Sequence, residues 1–309
     1  MIVIGMFGSL MVILIFSRRP LSETSCSNYL VANGILSFLF LPLYFLPNIV
    51  TFGLQINWLA LNTPFCKFQM SYGASTVTSV FVINCLISFD RYAMSSRSIR
   101  IRSFSSKRHT RILLPIALMF VWCLVGIPVA VMFENVPVNL NDSMMCSTQS
   151  RALLIFAALI YYPILEGLLP VLLAIYFWFL TRRHVYRLRN RYFIRQFDKQ
   201  ITTMYFYQII ICAIASFPFA AMNLYRALTS QSIRSVDQEN ILQFFRLLTI
   251  CLFYLQYSSD FYIYLLTSSD IRIQTKRILC FWCYHRNNRI TPLPILTHPK
   301  TDKTPTTNP

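Results

Sequence analysis

The sequence predicts an all-α membrane protein: a seven-transmembrane helix bundle with a short amphipathic cytoplasmic helix after span seven. Composition carries the first part of that expectation. Of 309 residues, 55% are hydrophobic and 13% charged, with mean hydropathy +0.51, whereas soluble domains run near ~45–50% apolar and ~25% charged. Seven apolar runs carry the second part, near 1–17, 28–52, 66–94, 112–133, 152–181, 199–228 and 240–267. Such runs read as helices crossing about 30 Å of hydrocarbon. The placement of basic charge carries the third.

Taken in order, the first run is short. Met1 to Phe16 gives about 24 Å at 1.5 Å per residue, less than the hydrocarbon thickness, so further residues are expected ahead of Met1. It has neither the basic leading region nor the small-residue cleavage site of a signal peptide and reads as a span. The third run is diluted by Ser71, Tyr72, Ser75, Thr76, Ser79 and Asn84, which places it inside the bundle, shielded from lipid. Residues 1–267 are expected to form the membrane domain, 268–284 the cytoplasmic helix, and the Pro/Thr-rich stretch 285–309 a disordered tail.

The net charge of +17 is not spread evenly. Arg18 and Arg19 follow the first run, six basic residues from Arg97 to Arg111 follow the third, and seven from Arg182 to Lys199 separate the fifth from the sixth. Alternate loops offer little beyond Lys67, Arg151, Arg226 and Arg234. The positive-inside rule then puts the N-terminus outside and the tail, with Arg272, Lys276, Arg277, Arg286 and Arg289, in the cytoplasm. Topology and attraction to anionic membrane lipids account for the charge, and no nucleic-acid partner is expected.

Nine cysteines sort by compartment. Cys66 and Cys146 sit at or beyond the outer ends of spans, in oxidising space, where one disulfide between them is expected. Cys280 and Cys283 sit inside, past a basic stretch, as palmitoylation sites or as idle reduced thiols. Asn141-Asp142-Ser143 is a glycosylation sequon on the outer side. The chain carries no Gly-rich phosphate loop, HExxH or GxSxG. His109, His184, His285 and His298 all fall in cytoplasmic loops or tail. No metal site, cofactor or enzymatic activity is expected.

Ionisable groups at membrane depth are costly and often functional. Glu166 lies one turn before Pro170, whose ring frees the Glu166 carbonyl. It reads either as an anionic contact for a ligand entering from outside, or as an acid protonated or paired with a neighbouring helix. Asp260 raises the same choice, with Tyr264 one turn below on the same face. Arg91 lies about 37 Å below Cys66, and Asp198 about 30 Å below Pro218. Both reach the inner membrane face, so an interhelical ion pair that stabilises one packing of the bundle is geometrically open. The other reading makes Asp90, Arg91 and Asp198 boundary charges in the headgroup region.

Over nearly its whole length the chain resembles the rhodopsin-like (class A) G-protein-coupled receptors. The marks are Cys66, Asp90-Arg91-Tyr92 at the family's spacing, and Cys146 in the next outer loop. Asn28, Trp58, Trp122, Pro170 and Pro218 support them. The resemblance implies outer ligand recognition, and an inner cavity that opens when span six swings out to admit a heterotrimeric G protein. Arg91 would hold the resting state through Asp90 and Asp198 and face the G protein in the active one.

Several positions depart from the family's pattern. Ser9 stands where the family has asparagine, and the family's sodium-binding acid falls on Phe38, which puts a sodium site of the usual kind in doubt. Ser216 replaces the toggle tryptophan, Cys212 the phenylalanine below it, and Trp178 the tyrosine of span five. Asp260 and Tyr264 keep two marks of NPxxY while Phe261 replaces its proline. The amine-binding aspartate falls on Gly73, against a monoamine ligand. Glu166, Asn223, Arg226 and Arg246 project, on the family's template, towards the outer cavity or rim. Arg226 and Arg246 also read as snorkelling to the interface, and Asn223 as bonding its own helix.

The expected function is transduction of an extracellular, neuropeptide-like ligand across the plasma membrane. One alternative is a non-signalling or constitutively active relative acting as scaffold or partner subunit. A transporter or channel is the remote one, since related halves and paired midplane charges are not seen.

Overall fold

The computed structural model describes residues 1–19, 21–53, 62–96, 98–137, 144–187, 194–229 and 236–280. Its helices form a seven-helix bundle. Span one is Ile2–Phe16, and span two is Ser25–Phe40 continued through Leu41–Phe45 and Leu46–Gly53. Span three is Thr63–Ser95, and span four runs through Lys107–Val121, Trp122–Gly126 and Ile127–Met132. Span five comprises Arg151–Phe156, Ala157–Leu168 and Leu169–Arg187, span six Ile194–Leu228, and span seven Val236–Thr267. Among the described residues, six of these are long and apolar enough to cross a membrane; the 15-residue first is shorter.

Span one packs on spans two and seven, span seven on six, and six on five, while span three touches two, four and five. Span three is therefore central. In its most apolar stretch 61% of residues are buried, against 11% in spans four and five, whose apolar side chains face outward as lipid-facing surface requires. The hydroxyl-rich sequence of span three fits that place. Ser71 donates to the Gly126 carbonyl of span four at 2.7 Å. A Cβ on Gly126 would lie 2.6 Å from Ser75 Oγ, so the two backbones approach as only small residues allow.

Prolines shape the outer halves, the outer end of the bundle being the one that carries the Cys66–Cys146 disulfide. Wide π-type turns cover Leu41–Phe45, Trp122–Gly126 and Ala157–Leu168, each ending two residues before a proline: Pro47, Pro128 and Pro170. A proline in a helix removes one N–H and crowds the carbonyl one turn back. The chain answers by bonding one residue further, Leu46 N–H to Leu41 O, Ile127 N–H to Trp122 O, and Leu169 N–H to Ile164 O.

The core is layered. An inner apolar cluster includes Ile15, Phe16, Ile87, Met204, Tyr205 and Tyr264. An outer one includes Phe40, Phe45, Val80, Phe81, Phe253 and Tyr254. Polar side chains gather where the two meet: Asn84, Gln208, Gln256 and Asp260 line one small cavity with Val80, Cys212 and Tyr257, and Asn33 bonds Asp260.

The second outer loop departs from an all-helical chain. Strands β1 (Phe133–Pro137) and β2 (Met144–Thr148) pair antiparallel with Asn135 opposite Cys146. Cys146 is joined to Cys66 at the top of span three. At the inner end, the short helix Ser269–Leu279 starts where Ser268 Oγ accepts the Ile271 N–H at 3.4 Å. Asp270 in its first turn and Lys276 and Arg277 in its last complement the helix dipole. It buries Ile271 and Thr275 and turns Arg272, Lys276 and Arg277 to solvent, the amphipathic pattern expected of it.

Candidate functional site

At the inner end of span three, Arg91 Nη2 bonds Asp90 Oδ2 at 2.6 Å. The two residues are 5% and 3% exposed, so the pair is enclosed by the bundle. A buried ion pair holds only when its remaining lone pairs are satisfied. Two serines do this. Ser25 Oγ donates to Asp90 Oδ1 and Oδ2 at 2.8 and 3.0 Å, and Ser105 Oγ donates to Oδ1 at 2.6 Å. The carboxylate thereby ties the start of span two and the loop after span three to Arg91. Tyr92 turns towards span five, its ring 5.8 Å from that of Phe177. The backbone of Asp198 lies in span six, but its side chain is outside the described residues.

In the polar layer, Asp260 accepts from Asn33 Nδ2 on span two and Gln208 Nε2 on span six, each at 2.9 Å. Tyr264 donates to Gln208 Oε1 at 2.5 Å. Gln208 therefore joins the two residues that share a face of span seven. A small cavity of about 10 Å³, lined by Asn84, Gln208, Gln256 and Asp260 among others, adjoins the carboxylate. That is room for about one water. Phe38 and Ser9 bring neither carboxylate nor carboxamide to the family's sodium position, and these residues do not fit a site of the usual kind.

The outer half gathers tyrosines around charge. Glu166, buried at 4% exposure, accepts from Thr78 of span three at 3.3 Å. Thr78 shares a 2.6 Å hydrogen bond with the Tyr161 hydroxyl. The Thr78 contact ties Glu166 to span three. Arg246 lies within electrostatic range of Tyr44, Tyr162, Tyr254 and Arg226. Asn223 Nδ2 donates at 2.9 Å to Phe219 O of its own helix. Gly73 faces no open space: a Cβ there would meet the Tyr44 ring at 2.1 Å. The toggle region holds Cys212 and Ser216, sulfur and hydroxyl 3.9 Å apart.

Cys280 is exposed at the end of the inner helix. Cys283, Asn141 and Trp58 lie outside the described residues. Nothing in the sequence marks Ser25, Ser105, Asn33, Gln208, Thr78 or Tyr44. Serine, threonine and glutamine occur throughout these spans, and only the partners, up to 227 residues away, distinguish them.

A family model described as 7 transmembrane receptor (rhodopsin family) matches residues 8–274. No curated protein is similar enough in sequence to match. With seven packed helices, a disulfide from span three to the second outer loop and a buried Asp-Arg pair at its inner end, the chain belongs to the rhodopsin family of seven-transmembrane receptors.

Proposed function

We propose that the chain is a plasma-membrane receptor that transduces an extracellular, peptide-like ligand to a cytoplasmic heterotrimeric G protein. The N-terminus lies outside and the basic loops and tail inside. The observation that carries this reading is the buried Asp90–Arg91 pair with its Ser25 and Ser105 donors. It is an arrangement that one packing of the bundle satisfies and an opened inner end would lose. A ligand shifts such an equilibrium only as far as it binds the open packing more tightly. An outer site with Glu166, Arg226 and Arg246, set among tyrosines below a β-hairpin, suits a ligand bearing both charges and aromatic groups, as a peptide does. Asp198 is the second partner of Arg91 in this account, and Cys280 and Cys283 are sites of lipidation beside the inner helix.

The test is G-protein dissociation in cells against a peptide panel, with Arg91→Ala and Asp198→Asn alongside. Arg91→Ala cuts coupling while surface expression persists, and Asp198→Asn raises basal signal. Absence of both effects sinks the latch. The substitutions at Ser216, Cys212 and Phe261 favour a second reading, a constitutively active or non-signalling relative. High ligand-independent dissociation, or none with any peptide, would select it.

A further inference from the structure

We propose that the outer half of the bundle contains a subsite for a single phenolic ring, formed against the bare backbone of Gly73, and that Tyr44 of span two is its built-in occupant. The tightest approach at any glycine described here is at this place. A Cβ on Gly73 would lie 2.1, 2.5 and 2.6 Å from three atoms of the Tyr44 ring, far inside van der Waals contact. A side chain at this position would therefore displace the ring, whereas the helix itself does not ask for glycine, since Gly73 lies well inside span three, where alanine would be the better helix former.

The ring is held as a ligand's ring would be. Phe40 stacks on it with centroids 5.1 Å apart and planes inclined 24°, and Tyr254 of span seven meets it edge-on at 6.3 Å and 75°. Both arrangements are favourable aromatic geometries. Tyr44 belongs to the wide turn Leu41–Phe45 between Pro42 and Pro47. Its carbonyl takes the Asn48 Nδ2 amide at 2.7 Å. The distorted backbone of span two thus aims the side chain across at span three. Glu166 and Arg246 both lie within electrostatic range of Tyr44, which sets the ring beside the charged groups of the outer site. The residue is partly buried.

This inference does not depend on coupling to a G protein. Removing the ring should leave an aromatic-lined hollow, and apolar hollows of about 150 Å³ engineered in other proteins bind small aromatic molecules. The full chain, purified in nanodiscs, is melted with and without p-cresol, the side chain of tyrosine as a free molecule. Tyr44→Ala is expected to lower the Tm by about 5 °C or more, and p-cresol to restore most of that loss saturably. Wild type and Tyr44→Phe should not respond. Gly73→Ala should itself lower the Tm by displacing the ring. In the Tyr44→Ala/Gly73→Ala double variant the two losses should not add, and the p-cresol response should vanish because the new methyl group would overlap the place the ring takes. If Tyr44→Ala does not fold, recovery of folded protein from cells grown with p-cresol reads the same occupancy. Failure of p-cresol to stabilise or recover Tyr44→Ala, an equal response in wild type, or a response that survives Gly73→Ala would each overturn the proposal.

Discussion

The Gln208 amide of span six donates to Asp260 Oδ1 of span seven at 2.9 Å while its carbonyl accepts the Tyr264 hydroxyl at 2.5 Å. One side chain thus fastens span six to two residues a turn apart on its neighbour. Hydrogen bonds between helices within a membrane average about 0.6 kcal/mol and reach about 1.7. Gln208→Leu removes both, and a basal signal about 3-fold or more above wild type at matched surface level is expected. An unchanged signal would show that the fastening does not bias the resting packing.

Ser25 and Ser105 share a single carboxylate. Hydrogen bonds to a charged group contribute about 1.5–3 kcal/mol each, and residues joined through a common acceptor are not independent. Ser25→Ala and Ser105→Ala should each lower the thermal stability of purified receptor. The double variant should differ from the sum of the two. Strict additivity would mean that each serine acts outside the Asp90 site.

Gly126 lets span four rest on Ser71 and Ser75. Gly126→Val forces them apart, at a cost of about 1–3 kcal/mol for overpacking. A Tm several degrees lower is expected, with Gly126→Ala intermediate. A Tm equal to wild type for the valine variant would contradict the close approach.

The parts of this fold that were legible in the sequence are those written in one dimension. Hydropathy marked seven runs, the hydroxyls of span three placed it centrally, and Pro170 marked the distortion that reaches Glu166. Cys66 and Cys146 could be assigned to one oxidising compartment, and the structure joins them. The parts that were not legible are contacts made by common residues across long separations. Asp260 and Tyr264 could be set on one face, but nothing local distinguishes Gln208, which is 52 residues from one and 56 from the other. Gly73 shows the same limit differently. Its identity spoke against an amine-binding acid, but the ring that occupies the space comes from the π-type turn of another helix.

In the proposed function the buried Asp90–Arg91 pair restrains the receptor, and Arg91, once released, serves the G protein. Nucleotide exchange on purified heterotrimeric G protein by receptor in nanodiscs tests it most directly, with Asp90→Asn and Arg91→Ala beside wild type. Asp90→Asn removes the charge that holds Arg91, and exchange without ligand about tenfold above wild type is expected, equivalent to about 1.4 kcal/mol. Arg91→Ala should fall below wild type at equal folded protein. Exchange by Asp90→Asn at or below the wild-type rate, together with undiminished exchange by Arg91→Ala, would contradict the account.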